Sequence, residues 1–175
     1  RDTLRELFLE ANLQAPLGRI AVAGNVDHPD WPQIFEGTNI TATAETRTFD
    51  LDEGRLHVTG LSEPDSGALD GASKLQTPDG VFHICVGHRP DFAISNPTPD
   101  LLIAGHTHGG QVQLPIIGPL LTLARVPRSW AAGLTEINPG QLLFVSRGIG
   151  LERGHAPRLR FLCRPEVAIL NIVPE

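Results

Sequence analysis

The stretch Leu101–Gln113, which reads LLIAGHTHGGQVQ, constrains the fold of this chain more than any other. Its apolar residues Leu101–Ala104 are followed at once by Gly-His-Thr-His-Gly-Gly. A short apolar run bounded by glycine is typical of a buried strand, and α/β sheets collect ligand-binding groups at the carboxyl ends of such strands. The stretch therefore predicts an α/β protein in which a buried strand delivers the imidazoles of His106 and His108 onto a glycine-rich turn.

Two earlier apolar runs end in the same way. Arg19–Gly24, RIAVAG, is followed by Asn25, and Val81–Val86, VFHICV, is followed by a glycine and then His88. Parallel strands of one sheet bring their carboxyl ends together, so these polar residues are expected to meet the two histidines of the turn. Imidazole and amide groups are ligands for Zn, Fe, Mn or Ni, and a two-metal site holds its ions roughly 3.5–4 Å apart. The candidate metal ligands are Asn25, His88, His106 and His108.

The other segments predict further elements around these strands. Asp2–Gln14 has the apolar spacing of an amphipathic helix. Alternating residues in Asn39–Leu51 and Arg55–Leu61, around an Asp-Glu-Gly turn, predict a β-hairpin. Ser62–Gly80, rich in Ser, Gly, Asp and Pro, predicts a long loop. Further strands are predicted over Gln111–Leu114, Trp130–Ile137, Gln141–Val145, Leu159–Cys163 and Glu166–Val173.

The composition of the 175 residues fits one globular domain, with 41% hydrophobic and 19% charged residues. The net charge of −6 and the lack of a Lys/Arg run argue against a nucleic-acid partner. No apolar run in the sequence is long enough to span a bilayer. Cys85 and Cys163 lie far apart inside apolar runs, which favours buried free thiols over a disulfide or a metal ligand.

Three sequence blocks resemble those of one enzyme family. GHTHGGQ is followed by LPIIGPL at Leu114–Leu120, GHRPD spans Gly87–Asp91, and Gly24 precedes Asn25. In this order the blocks resemble the calcineurin-like metallophosphoesterases, and among them a bacterial branch of membrane-associated phosphodiesterases, from about Leu7 onward. The resemblance implies a four-layer α/β/β/α sandwich and a location in the bacterial cytoplasm or peripherally at the membrane.

The resemblance also implies a binuclear centre of two divalent metal ions, which would be Mn, Fe or Zn. Asn25, His88 and His106 would bind one ion and His108 the other. The two ions would polarise a phosphoryl oxygen and hold a hydroxide for in-line attack on phosphorus. The implied reaction is hydrolysis of a phosphodiester or pyrophosphate bond in a small-molecule or lipid-linked substrate.

The chain departs from the family pattern in two places. The family's opening Asp-x-His and Gly-Asp-x-x-Asp blocks are absent, and the sequence starts at Arg1 without any Met. Residues 1–175 are therefore expected to be the C-terminal portion of a single metallophosphoesterase domain, N-terminally truncated and inactive alone. The family's His after Asn is replaced by Val26, which makes His28 the candidate catalytic residue.

Two other readings of the chain stay open. The first is a non-catalytic or degenerate module of the same fold, whose incomplete centre holds at most one metal. The second, with weaker support, is a structural zinc module, although such sites are usually closed and rich in cysteine. Val26 and the missing blocks favour the first of these, whereas the intact GHTHGG turn and His88 favour catalysis.

The segment Leu114–Trp130 carries one more hypothesis. It is apolar, broken by Pro and Gly, and it contains two arginines and a tryptophan. Such a segment fits peripheral contact with a membrane interface. The alternative is that its apolar side chains, those of Ile116, Ile117, Leu120 and Leu121, pack on the edge of the sheet.

Overall fold

The computed structural model of the protein describes residues 2–12, 14–151, 154 and 158–173. The described α-helices are α1 (Asp2–Ala11) and α2 (Glu63–Gly67). The described strands are β1 (Ile20–Val22), β2 (Thr41–Thr43), β3 (Arg47–Leu51), β4 (Leu56–Gly60), β5 (Phe82–Val86), β6 (Leu101–Ala104), β7 (Gln113–Leu114), β8 (Gly118–Pro119), β9 (Gly133–Asn138) and β10 (Gln141–Val145). Short 3₁₀ helices cover Trp31–Phe35, Asp52–Gly54, Pro90–Ser95, His108–Gly110 and Arg128–Trp130.

The main sheet has six strands in the order β3-β4-β5-β6-β10-β9. The strands from β4 to β10 in this order pair in parallel, and β3 and β9 close the two edges as antiparallel strands. The core that covers this sheet includes Leu61, Phe92, Leu102 and Leu143, which are fully buried. The predicted α/β class is confirmed, and the neighbouring strands β5 and β6 end at the same edge.

Strand β1 does not belong to the main sheet. It pairs in parallel with β2 in a separate two-stranded sheet. The prediction that it shares a sheet with β5 and β6 was therefore wrong. The small sheet stacks on β4. A Cβ atom built on Gly60 would lie 2.6 Å from Cγ2 of Thr43 and 3.2 Å from Cγ1 of Val22, which shows how closely the two sheets approach. Two stacked sheets are consistent with the predicted sandwich.

The predicted hairpin is present but shorter than expected. β3 and β4 pair antiparallel around Asp52–Gly54, as the alternation indicated. The expected first arm, Asn39–Leu51, instead divides between β2 and β3, because the chain crosses from the small sheet to the large one. The predicted loop Ser62–Gly80 opens with α2, whose first turn is capped by the Ser62 hydroxyl accepting from the backbone N–H of Asp65.

Both predicted strands near the C-terminus were wrong for the residues that the structure describes. Leu159–Cys163 contributes only one bridge, between Val112 and Phe161. Glu166–Val173 has no regular secondary structure and pairs with no strand of the described chain. A β-branched sequence forms a strand only where a neighbour accepts its hydrogen bonds and covers one face. Here Val167 and Ile169 are almost fully exposed.

Both cysteines lie in the interior of the protein. Cys85 and Cys163 are both free and buried, as their apolar surroundings predicted. Burial raises the pKa of the Cys85 thiol to about 12, so this residue stays protonated.

Neither helix in the described ranges has the length and apolar character needed to cross a membrane.

Candidate metal centre

The turn that follows β6 holds both of its histidines in a left-handed backbone conformation. The φ angles are +67° at His106 and +50° at His108. Residues other than glycine adopt such angles rarely and only where the surroundings hold them. The Thr107 hydroxyl supplies part of that hold, because it donates to the backbone oxygen of Ala131 over 2.6 Å and accepts from the N–H of Gly109 over 3.2 Å. Hydrogen bonds of Thr107 therefore help to hold the turn in this left-handed conformation.

The glycines after His108 allow neighbouring segments to pack tightly against the turn. A Cβ atom on Gly109 would lie 2.7 Å from Cγ of Arg147 and 2.8 Å from Sγ of Cys163. A Cβ atom on Gly110 would lie 2.5 Å from Cβ of Pro119. Both glycines also have positive φ angles, +60° and +75°. Any side chain at these positions would displace the segments that hold the histidine turn.

Asn25, His88 and His106 come together at one point. The Nε2 atom of His88 lies 2.7 Å from Oδ1 of Asn25 and 3.1 Å from Nδ1 of His106. The two imidazole rings cross at 73° with their centroids 5.0 Å apart. Metal ligands placed about 2.0–2.2 Å from one ion at tetrahedral or octahedral angles are separated by about 3 Å. The distances of the Asn25 and His106 donor atoms from His88 Nε2 are therefore compatible with ligands that share one divalent ion.

The orientation of His106 is fixed from its other side. Its Nε2–H donates to the backbone oxygen of Leu123 over 3.1 Å. This tautomer leaves Nδ1 unprotonated and directed toward His88. A carbonyl that holds the second nitrogen of an imidazole is the usual support for a metal-binding histidine. No sequence pattern pointed to Leu123, because a backbone oxygen carries no residue-type signature.

The environment of His88 keeps its imidazole neutral. The pKa of His88 is lowered to about 4, chiefly by burial and also by the neighbouring His106 and Arg89, with Asp27 opposing them. At neutral pH this imidazole therefore carries no charge. Nδ1 of His106 and Oδ1 of Asn25 both accept, so Nε2 of the neutral His88 carries the proton. Metal ions bind neutral imidazole, and His88 would bind one through Nε2 once this proton moves to Nδ1.

Gly24 lets the end of β1 approach His88. A Cβ atom on Gly24 would lie 3.0 Å from Cε1 and 3.1 Å from Nδ1 of His88. The backbone N–H of Gly24 donates to Oδ2 of Asp27 over 2.7 Å, which fixes the loop that carries Asn25. The glycine before Asn25 thus permits close packing across the two sheets.

His108 stands beside the cluster formed by Asn25, His88 and His106. Its ring Cε1 lies 3.7 Å from the position of a Cβ atom on Gly150. It is also among the groups that lower the pKa of His88, so the two imidazoles share one face of the protein. The backbone oxygen of His108 accepts from Sγ of Cys163 over 3.2 Å and from Nη1 of Arg160 over 3.5 Å.

The Asn25–Asp30 loop places the candidate catalytic residue at the surface. His28 is exposed, and its Nδ1 lies 3.2 Å from Oδ2 of Asp30. Val26, which occupies the position of the family's histidine, is 83% exposed. The loop therefore offers one imidazole on the solvent side, three residues after Asn25.

Known proteins resemble this chain over most of its length. The metallophosphoesterase YkuE of Bacillus subtilis (strain 168) is 31% identical over 170 residues, which are 91% of this chain and 58% of that relative. A metallophosphoesterase of Aquifex aeolicus (strain VF5) is 28% identical over 185 residues, which are 98% of this chain and 66% of that relative. These similarities support a place for the chain in the calcineurin-like metallophosphoesterase family.

A further relative of the chain is the phosphodiesterase YaeI of Escherichia coli (strain K12). It is 35% identical over 92 residues, which are 51% of this chain and 32% of that relative. The chain thus spans about three fifths of YkuE and a smaller share of YaeI. No protein-family profile and no solved structure matches it.

Membership of the metallophosphoesterase family implies the use of divalent metal ions. The described residues contain no group of three His, Cys, Asp or Glu side chains that could hold one. The observed cluster of two histidines is completed by the amide oxygen of Asn25, which is a neutral hard ligand suited to such ions. These donor types fit a divalent metal.

Proposed function

We propose that this protein hydrolyses phosphodiester or pyrophosphate bonds with the help of two divalent metal ions, which would be Mn, Fe or Zn. The observation that carries the proposal is the convergence of two donor atoms on His88 Nε2, which lies 2.7 Å from Asn25 Oδ1 and 3.1 Å from His106 Nδ1. These three residues would hold one ion, and His108 would contribute to the second. Such ions polarise the phosphoryl oxygen and lower the pKa of water.

The chain's own residues prepare this chemistry by fixing donor atoms in advance. The Leu123 carbonyl orients His106, and burial keeps His88 neutral. The left-handed turn presents His108 from the same segment as His106. Preorganised donors need no reorganisation during the reaction, which is where electrostatic catalysis gains most.

His28 is proposed as the group that contacts the phosphate and protonates the leaving group. Its loop position, three residues after Asn25, and its exposure to solvent support this role. Val26 is apolar and has neither a proton to donate nor a charge to offer. General acid catalysis of this kind contributes about 10²–10⁴ in rate.

The test uses the product of the complete reading frame, loaded with Mn²⁺ and assayed on bis(p-nitrophenyl) phosphate and p-nitrophenyl phosphate. We expect hydrolysis of the diester, faster than of the monoester, and its loss after chelation. His88→Ala should abolish the hydrolysis, while His57→Ala, a matched change at a half-buried histidine of β4, should retain it. Absence of metal-dependent diester hydrolysis, or full activity in His88→Ala, would refute the proposal.

The alternative, a non-catalytic module with an incomplete centre, is favoured by the exposed Val26 and by the lack of a carboxylate in the observed cluster. This reading predicts that the protein binds metal through His88 and His106 but turns over neither ester. The same assay, run beside a metal-binding titration, separates the two readings.

A further inference from the structure

The segment between β6 and β9 projects an apolar hairpin into solvent. β7 and β8 form a two-stranded sheet of their own, and the turn between them closes with the N–H of Ile117 donating to the oxygen of Pro115 over 2.8 Å. Ile116 at the tip is fully exposed, and its φ angle is +72°. A β-branched residue at a positive φ angle is a strained arrangement that needs a reason.

The apolar surface continues after the hairpin. Ile117 is 61% exposed, and Leu120 and Leu121 are 47% and 43% exposed. The alternative in which these side chains pack on the sheet edge is therefore contradicted for Ile116 and Ile117, whereas Leu120 and Leu121 are half exposed. Large side chains grouped on one exposed surface mark an interaction site more often than isolated ones do.

The charged residues of the segment between β6 and β9 are all positive. The sequence has no Asp or Glu between Asp100 and Glu136, although it contains 20 acidic residues in all. Arg125 and Arg128 lie in this interval, and both are exposed. In a protein of net charge −6, this segment thus adds only positive charges to the surface, and its 3₁₀ helix Arg128–Trp130 lies against β8 of the hairpin. Such a surface complements an anionic lipid headgroup layer.

The same segment reaches the candidate metal centre. The backbone oxygen of Leu123 accepts from Nε2 of His106, and the N–H of Arg125 donates to the buried carboxylate of Asp91 over 2.6 Å. A cleft of about 450 Å³ lies along this path and is lined by Leu120–Val126 and Arg128. The hairpin and the centre are therefore joined by a tethered segment.

We propose that Leu114–Trp130 docks this protein on an anionic bilayer. Ile116 and Ile117 enter the interfacial region, and Arg125 and Arg128 face headgroup phosphates. The cleft then presents a lipid-linked phosphodiester or pyrophosphate to the side of the centre that carries His106. The evidence for bilayer binding is the exposed hairpin and the charges of its segment, whereas the lipid-linked substrate rests on the proposed function.

The test is vesicle flotation with the product of the complete reading frame. The vesicles contain phosphatidylcholine alone or mixed with phosphatidylglycerol. We expect binding to the anionic vesicles, weakened about tenfold or more by Ile116→Asp because an apolar anchor is lost. Ile169→Asp is the matched control, since Ile169 is 87% exposed outside the hairpin, and it should bind like the wild type. Neutralising Arg125 and Arg128 to Gln should weaken binding about fivefold per residue, only on anionic vesicles.

Three results would overturn bilayer docking. The first is equal flotation of wild type and Ile116→Asp, and the second is a loss of vesicle binding in Ile169→Asp as large as that in Ile116→Asp. The third is protection of an Ile116→Cys thiol from labelling in the absence of vesicles, which would show that a protein contact buries the hairpin. Hydrolysis of bis(p-nitrophenyl) phosphate should stay unchanged in Ile116→Asp, while hydrolysis of a vesicle-borne phosphodiester should fall. Loss of the soluble reaction in every sample would refute the proposed function but leave the flotation result intact.

Discussion

The Nε2 atom of His88 lies 2.7 Å from Oδ1 of Asn25, although the two residues follow strands of different sheets. His88 follows β5 of the six-stranded sheet, and Asn25 follows β1 of the two-stranded sheet stacked on it. The candidate centre is therefore assembled across the interface between two layers. Its geometry depends on how closely those layers approach, and glycines at the interface control that approach.

Gly24→Ala should weaken metal binding while leaving the fold intact. The added Cβ atom would lie 3.0 Å from Cε1 of His88, and the imidazole can yield by shifting a few tenths of an ångström. We expect Mn²⁺ affinity to fall about ten- to hundredfold, as when a group that orients a ligand is altered.

The matched control for this change is Gly105→Ala, which also alters a glycine next to the centre. There the added Cβ atom would meet only the backbone oxygen of His88, at 3.9 Å, an ordinary contact. Affinity should be close to that of the wild type. Equal Mn²⁺ affinity in both variants, measured by calorimetric titration, would show that the approach of β1 does not position His88.

Arg160→Ala should destabilise the protein by about 2 kcal/mol, because several hydrogen bonds from one charged group are lost. The Arg160 guanidinium donates to the backbone oxygens of Arg147 over 2.6 Å and Gly150 over 2.7 Å. Urea unfolding measures the effect, with Arg164→Ala, an exposed arginine in the same segment, as the control. Similar unfolding midpoints for the two variants would contradict this role.

His83 should make the stability of the protein fall as the pH is lowered. Burial lowers the pKa of His83 from its ordinary 6.5, His57 lowers it further, and Asp100 opposes them. Below the ordinary value the unfolded chain binds a proton that the folded chain does not, so folding loses up to about 1.4 kcal/mol per pH unit from this group.

The measurement for this prediction is urea unfolding between about pH 7.5 and about pH 5.5, the range in which an unfolded histidine titrates. His83→Gln can keep a hydrogen bond to Thr59, whose hydroxyl lies 2.7 Å from Nε2 of His83, but it cannot titrate. Its stability should depend less on pH than that of the wild type. An unchanged pH dependence would rule out the contribution of His83.

Val26→His should raise the turnover of the diester. Val26 is 83% exposed, so an imidazole fits there without displacing other side chains. The substitution adds a proton donor beside Asn25, and we expect kcat to rise about tenfold or more at unchanged metal affinity. Val26→Gln, of similar size and polarity but unable to titrate, is the control. An equal rise in both variants would indicate a polarity effect without proton transfer.

The local elements could be predicted from the sequence because their signals are local. Leu101–Ala104 forms β6 with the bounds that its apolar run indicated, and Asn25, His88 and His106 do meet. The sheet to which β1 belongs could not be predicted, because an apolar run of three residues carries no information about its partner. The meeting of the three side chains was thus expected for a wrong reason: it arises from stacking of two sheets.

Other parts of the candidate site had no residue-type signature. The Leu123 carbonyl that orients His106 is a backbone group, and the segment that carries it was predicted only as an apolar loop. Glu166–Val173 has the composition of a strand, yet strand formation also requires a neighbour, which lies beyond what composition encodes. Both the hydrogen bond from His106 to the Leu123 carbonyl and the absence of a strand at Glu166–Val173 depend on contacts between residues distant in the sequence.

The central claim is that Asn25, His88 and His106 together hold one divalent metal ion. The most direct test is calorimetric titration of Mn²⁺ into metal-free protein, comparing wild type with Asn25→Ala, His88→Ala and His106→Ala, and with His57→Ala as the control. We predict that each of the three variants loses affinity at one site by about a hundredfold or more, and that the control does not. Wild-type affinity in His88→Ala would contradict the claim.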